Sequence, residues 1–187
     1  MKSRHYRIIG QSPLIMHNGR SADPLDAFAR EMKEITSKRI RTDADHERLA
    51  KLEFMAGLYV EGGRPVIPGM VIEAALVQAA KKSKSGAQAK AGLFCEGNFL
   101  LEYEGPVEPE ALWAEPGFRL TAGVRVGQVR IMRTRPKFDD WAAEVEVRYQ
   151  PDLLNPAGIG RFMEVAGSVV GIGDWRPRFG RFEAMVI

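Results

Sequence analysis

Cysteine occurs once in the 187 residues, at Cys95. A lone thiol excludes an internal disulfide and any multi-cysteine zinc site. Histidine is scarce too, at His5, His17 and His46, and no spacing in the chain argues for a Ser-His-Asp or Cys-His arrangement. No apolar run approaches the ~20 residues that cross a bilayer. The opening "MKSRHYRIIG" lacks the apolar region of a signal peptide. These absences predict a cytoplasmic chain with no membrane partner. Acids are missing locally: none stands between Glu115 and Asp139, where Arg119, Arg125, Arg130, Arg133, Arg135 and Lys137 fall. Between Glu73 and Glu96 the only charges are Lys81, Lys82, Lys84 and Lys90. The net charge is only +3, so the segregation matters more than the total. It predicts a positive face on a nearly neutral molecule.

What is present is ordinary globular material, 45% apolar and 27% charged, in a length that suits a single domain. "HYRII" reads as a first strand. Asp23 with Pro24 reads as a helix start, and Thr42 with Asp45 as a capping box opening a second helix to about Ala56. Residues 20–57 are thus expected to be a helical insertion. "IPGMVIEAALVQAAKK" carries the stripe Ile72, Ala75, Leu76, Ala79 and Ala80, and "SKSGAQAKAG" after it reads as a loop. Strands are expected at 98–103, 119–126, 129–134 and 142–149, with residues 119–137 forming a basic hairpin. Asn155 and Pro156 begin a helix with the stripe Ile159, Phe162, Met163, Ala166, Val169 and Val170, and "RFEAMVI" reads as a last strand. The order predicts an α+β fold, a ferredoxin-like or RRM-like core of β-α-β-β-α-β type with a helical insertion.

"GIGDWRPRFGRF" (171–182) packs glycines, arginines and aromatics between that helix and the last strand. It leaves a helix rather than opening one and fits neither the Walker pattern nor the dinucleotide fingerprint, which excludes those readings. Glycines such as Gly171 and Gly173 would let backbone N–H groups approach phosphate. Arg176, Arg178 and Arg181 would hold phosphates, with Trp175 and Phe179 available for stacking. Arg125, Arg130, Arg133, Arg135 and Lys137 form a second positive element without local acids, and Lys81, Lys82 and Lys84 extend the track. Asp23, Asp26, Asp43 and Asp45 lie near helix starts, where capping accounts for them without metal. No metal or organic cofactor is implied.

"VVGIGDWRPRFGRFEA" resembles the C-terminal glycine-rich loop of the RAMP superfamily, the RRM-like proteins that include the backbone and crRNA-processing subunits of CRISPR effector complexes. "IIGQSPLIMHNG" resembles that family's first strand and loop, and "PVIPGMVIEAAL" its helix start, with Glu73 and Ala74 where Lys-Gly is common. The resemblance implies a compact, phage-type relative in a bacterial or phage-infected cell. It implies a non-enzymatic protein that binds single-stranded RNA or DNA and assembles with itself in a helical or ring-like array, with other subunits as further partners. The alternatives are a metal-independent endoribonuclease using His17, since relatives that cut RNA use a histidine, and a protein-interaction module of phage or host.

Overall fold

A computed structural model describes residues 1–187, the side chain of Val126 excepted. In chain order the strands are β1 (Lys2–Gly10), β2 (Leu14–Ile15), β3 (Val60–Glu61), β4 (Arg64–Pro68) and β5 (Leu93–Phe94), then β6 (Asn98–Leu100), β7 (Arg119–Val126), β8 (Val129–Phe138), β9 (Ala142–Tyr149) and β10 (Phe182–Val186). The helices are α1 (Ala27–Thr36), α2 (Asp43–Gly57), α3 (Gly69–Lys82), α4 (Gly86–Gly92), α5 (Pro109–Ala114) and α6 (Pro156–Val165). The fold is mixed α and β with antiparallel sheets. No helix among the described residues is long and apolar enough to cross a membrane.

Alternation along β1 buries Tyr6 and Ile8 and leaves Arg7 and Ile9 on the other side, as a half-buried strand requires. β1 is the centre of a four-stranded sheet of order β10-β1-β9-β5, in which every neighbouring pair is antiparallel. Its buried face joins Ala143, Val145 and Val147 of β9 and Phe182 of β10 to the stripes of α3 and α6. Each fully buried large side chain, such as Ile8, Leu76 or Ile159, contributes about 1.5–3 kcal/mol. Two small sheets complete the molecule, β2-β8-β7 and β3-β4-β6. Through β8 the β7–β8 hairpin lies against α2, which ties the helical segment to the rest.

Several sequence expectations need correction. Asp26, not Asp23, caps α1, its Oδ1 accepting from the Phe28 N–H at 2.9 Å; Asp23 closes the turn before it by accepting from Leu25 N–H. The stretch read as a loop at 83–92 contains α4, because Ala89 packs into the core. β6 stops at Leu100, and beyond it Glu102 bridges Ala142 across to β9. β8 runs on to Phe138 because Thr134, Pro136 and Phe138 alternate into the interior. Val169 is 47% exposed: α6 widens into a π-turn over Ala166–Val170, which moves it off the apolar stripe. The β3–β4 hairpin and α5 carry too little periodicity to be read from sequence.

The capping box does form at the start of α2. Thr42 accepts from Asp45 N–H, and the Asp45 carboxylate accepts from Thr42 N–H at 3.0 Å. The Lys38 ammonium and the Thr42 N–H hold the Asp45 carboxyl down at about 2, against an ordinary 3.8. With the folded value below the unfolded one, this stabilisation is present above about pH 4 and is lost as pH falls through about 2. The carboxyl carbon shift of Asp45, followed by NMR, should titrate near 2; a midpoint near 4 would contradict the cap.

Candidate nucleic-acid interface

The glycine-rich segment leaves the π-turn with Gly171 N–H donating to Ala166 O at 2.7 Å. It then docks on the connection between β1 and β2. Asp174 N–H donates to Ile15 O at 2.8 Å, Gly180 N–H to Pro13 O at 2.8 Å, and Ile172 N–H to Gly180 O at 2.9 Å. The Ser12 hydroxyl accepts from Arg181 N–H at 3.0 Å. Gly173 and Gly180 have φ of +79° and +70°, and a β-carbon at either would run into a carbonyl oxygen, of Ile15 and Ile172 respectively. The close approaches give these glycines a structural reason of their own. They bring the loop against its own chain, where the N–H groups of Gly171, Ile172, Asp174 and Gly180 are donated to chain carbonyls.

Those side chains project from a fixed frame. Arg176, Arg178 and Arg181 are exposed, while Trp175 and Phe179 are half-buried, their ring centroids 6.2 Å apart. The Arg178 guanidinium lies 5.8 Å from the centre of the Phe179 ring. Arg176 is the one of the three at a groove. It lines an open groove of about 800 Å³ together with Gln78, Lys81, Lys84 and Lys90 from the α3–α4 corner, with Glu73 as the acid. Glu73 is partly spent, accepting from Cys95 N–H at 3.1 Å. Among the described residues, none of the four groove cations has a carboxylate within 4.0 Å. Lys82 does not line this groove. Lys90 does, although sequence reasoning left it out of the site. Its signal was the acid-free stretch it shares with Lys81.

The hairpin's basic residues do not share one face. In the β7–β8 register Arg125 stands opposite Arg130, and Arg133 opposite Ala122. Alternation therefore puts Arg125 and Arg130 on one side near the tip and Arg133, Arg135 and Lys137 on the other. The sequence places no acid between Glu115 and Asp139, but the fold supplies carboxylates to the whole second group. Arg133 pairs with Glu53, Arg135 Nε lies 3.3 Å from Asp174, and Lys137 Nζ lies 2.9 Å from Asp139. Two of the three partners, Glu53 and Asp174, are distant in sequence, which is why a scan for nearby acids misses them. Glu53 is nearly buried on α2 and also accepts from Thr134 N–H at 2.8 Å. An acid on an otherwise apolar helix stripe was its only sequence signal. Arg125 gives its Nε to Gly127 O at 3.1 Å.

His17 follows β2 near these groups. Partial burial, then the nearby Arg135, hold its imidazole below the ordinary range, so it is neutral at pH 7. Among the described residues, its ring makes no side-chain hydrogen bond. A metal-holding group of three or more His, Cys, Asp or Glu is absent among the described residues.

No family model matches the sequence, and no curated protein matches it. Among solved structures, one match is a chain from a cryo-EM structure of the type III-B Cmr-beta bound to cognate target RNA. The two chains are 10% identical with a TM-score of 0.50, over 100% of this chain and 61% of the other. At this identity the likeness concerns the fold, and the present chain spans about 61% of its neighbour's length.

Gly173→Val should lower stability by about 2–4 kcal/mol, since a side chain there meets both an unfavourable φ and the Ile15 carbonyl. The urea midpoint reads this directly. An unchanged midpoint would mean that the loop does not dock as described.

Proposed function

We propose that the chain is a RAMP-type protein with a ferredoxin-like core that binds single-stranded nucleic acid, RNA in the first place, through its phosphates. The observation that carries this reading is the groove, where lysines of the α3–α4 corner meet Arg176, a residue about 90 positions away in sequence, with no carboxylate on any of them. Cations gathered at an open groove favour a polyanion, and release of its counterions drives the association. Long, exposed ammonium and guanidinium groups suit backbone contact, which carries no base information. Arg125 and Arg130 at the hairpin tip are a second positive element of the proposal. Like charges directly across a hairpin repel, and a phosphate placed between them relieves that cost.

The core topology supports the RAMP-type reading. Taken in chain order as first to fourth, β1, β5, β9 and β10 are joined by α3, a strand-rich connection and α6, and lie in the spatial order fourth-first-third-second. That order agrees with the plan of a split β-α-β-β-α-β unit, which supports the reading. The matched solved structure holds RNA, which favours RNA over DNA.

Alanine at Arg176 or Lys84 should weaken binding to unrelated single strands to a similar degree, by roughly up to fivefold each. Each should flatten the slope of log affinity on log salt by about 0.7. Lys2→Ala, outside every basic element named, is the control. A double variant that stays folded by circular dichroism and keeps wild-type affinity and salt slope refutes the groove.

Self-association is the second part of the proposal. The acidic segments 102–115 and 139–146 would meet the basic hairpin of a neighbouring copy, a head-to-tail contact that need not close. Light scattering at tens of micromolar should show masses above the monomer that grow when oligonucleotide is added. A monomer under both conditions rules this out.

A further inference from the structure

A cavity of about 400 Å³ opens between the helical segment and the β7–β8 hairpin, on residues the groove does not use. α1 contributes Ala29 and Met32 to its walls, the segment after β2 contributes His17 and Asn18, and β8 contributes Arg133 and Arg135. The helices bring Ala29, Met32 and Leu49 together with Lys33, Thr36 and the Glu53 carboxylate, the strand brings two guanidiniums, and the volume lies in the range of small-ligand sites.

We propose that this cavity is a mononucleotide pocket, taking the phosphate of one nucleotide against Arg133 and Arg135 and its base against Ala29, Met32 and Leu49. Both guanidiniums are held before any ligand arrives. Glu53 fixes Arg133 by one terminal nitrogen while its other oxygen is occupied by Thr134 N–H. Arg135 directs Nε to Asp174 at 3.3 Å and Nη1 to Thr134 O at 3.3 Å, which leaves Nη2 for an anion. Arginines held in this way lose little further side-chain entropy on binding, and a guanidinium edge matches phosphate oxygens. Lys33 on α1 adds a cation with no carboxylate within 4.0 Å among the described residues. The neutral ring of His17 offers a flat face and one donor and one acceptor, which suits a base or ribose better than a second phosphate. The cavity admits one nucleotide unit and excludes a duplex. That unit is either a free mononucleotide or a nucleotide of the bound strand turned into the pocket.

The test is titration calorimetry on the intact chain with adenosine 5′-monophosphate, adenosine and inorganic phosphate. The nucleotide should bind at least about tenfold more tightly than either half of it, because both ends of the cavity are used. Ala29→Phe, which fills the apolar end, and Lys33→Glu, an exposed change outside the core, should each weaken it by about tenfold. Lys33→Glu keeps the test decisive if Ala29→Phe does not fold. No binding at millimolar nucleotide, phosphate binding as tightly as the nucleotide, or equal binding by the wild type and Lys33→Glu overturns the pocket. A saturating ten-residue oligonucleotide with hydroxyl ends separates the sources: displacement of the nucleotide supports a turned-in strand unit, and continued binding supports a free nucleotide. Groove failure and pocket failure are read separately, since Arg176 and Lys84 line only the groove.

Discussion

The backbone of the glycine-rich segment is held to β2 and the connection before it by Asp174 N–H on Ile15 O and Gly180 N–H on Pro13 O, each at 2.8 Å. Both candidate sites depend on this docking. On one side it sends Arg176 into the groove beside Lys81, Lys84 and Lys90. On the other it holds Asp174 against Arg135, at the wall of the second cavity. A side chain at Gly173 or Gly180 would push the loop off these carbonyls and misplace both.

Charge is organised by which cations the fold has already neutralised. Arg133, Arg135 and Lys137 face carboxylates, which offset part of their charge and join the hairpin to α2, to the glycine loop and to the turn before β9. Arg133 is worth most there, because its partner Glu53 is nearly buried and a buried carboxylate left without its partners is costly. The groove cations, by contrast, keep their field for a ligand in solution, where exposed charges act at a range set by salt.

The open face of the main sheet is a poor place for a polyanion. Arg7 there is bound by Glu102 at 2.7 Å and lies 3.5 Å from Glu144, and Arg148 is paired with Glu96. Carboxylates that outnumber their cations would repel phosphate. Under the proposed function, a bound strand would run over the α3–α4 corner and the glycine loop rather than across the sheet.

Much of this fold is local enough to be determined by sequence alone. Alternation in β1 and β9, the stripes of α3 and α6, and the Thr42–Asp45 capping box each depend on neighbours within a few residues. The uneven placement of acids likewise marked Lys81 and Lys84, and the glycine-rich segment marked Arg176, as candidate basic positions. Only the tertiary structure decided the rest. It put Arg176 beside the lysines, split the hairpin cations between two faces, and set Glu53 and Asp174 against Arg133 and Arg135 across 80 and 39 residues of chain. Those pairings follow from how sheets and helices pack, and a charge's effect depends on what lies within a few ångströms in space, which spacing along the chain does not reveal.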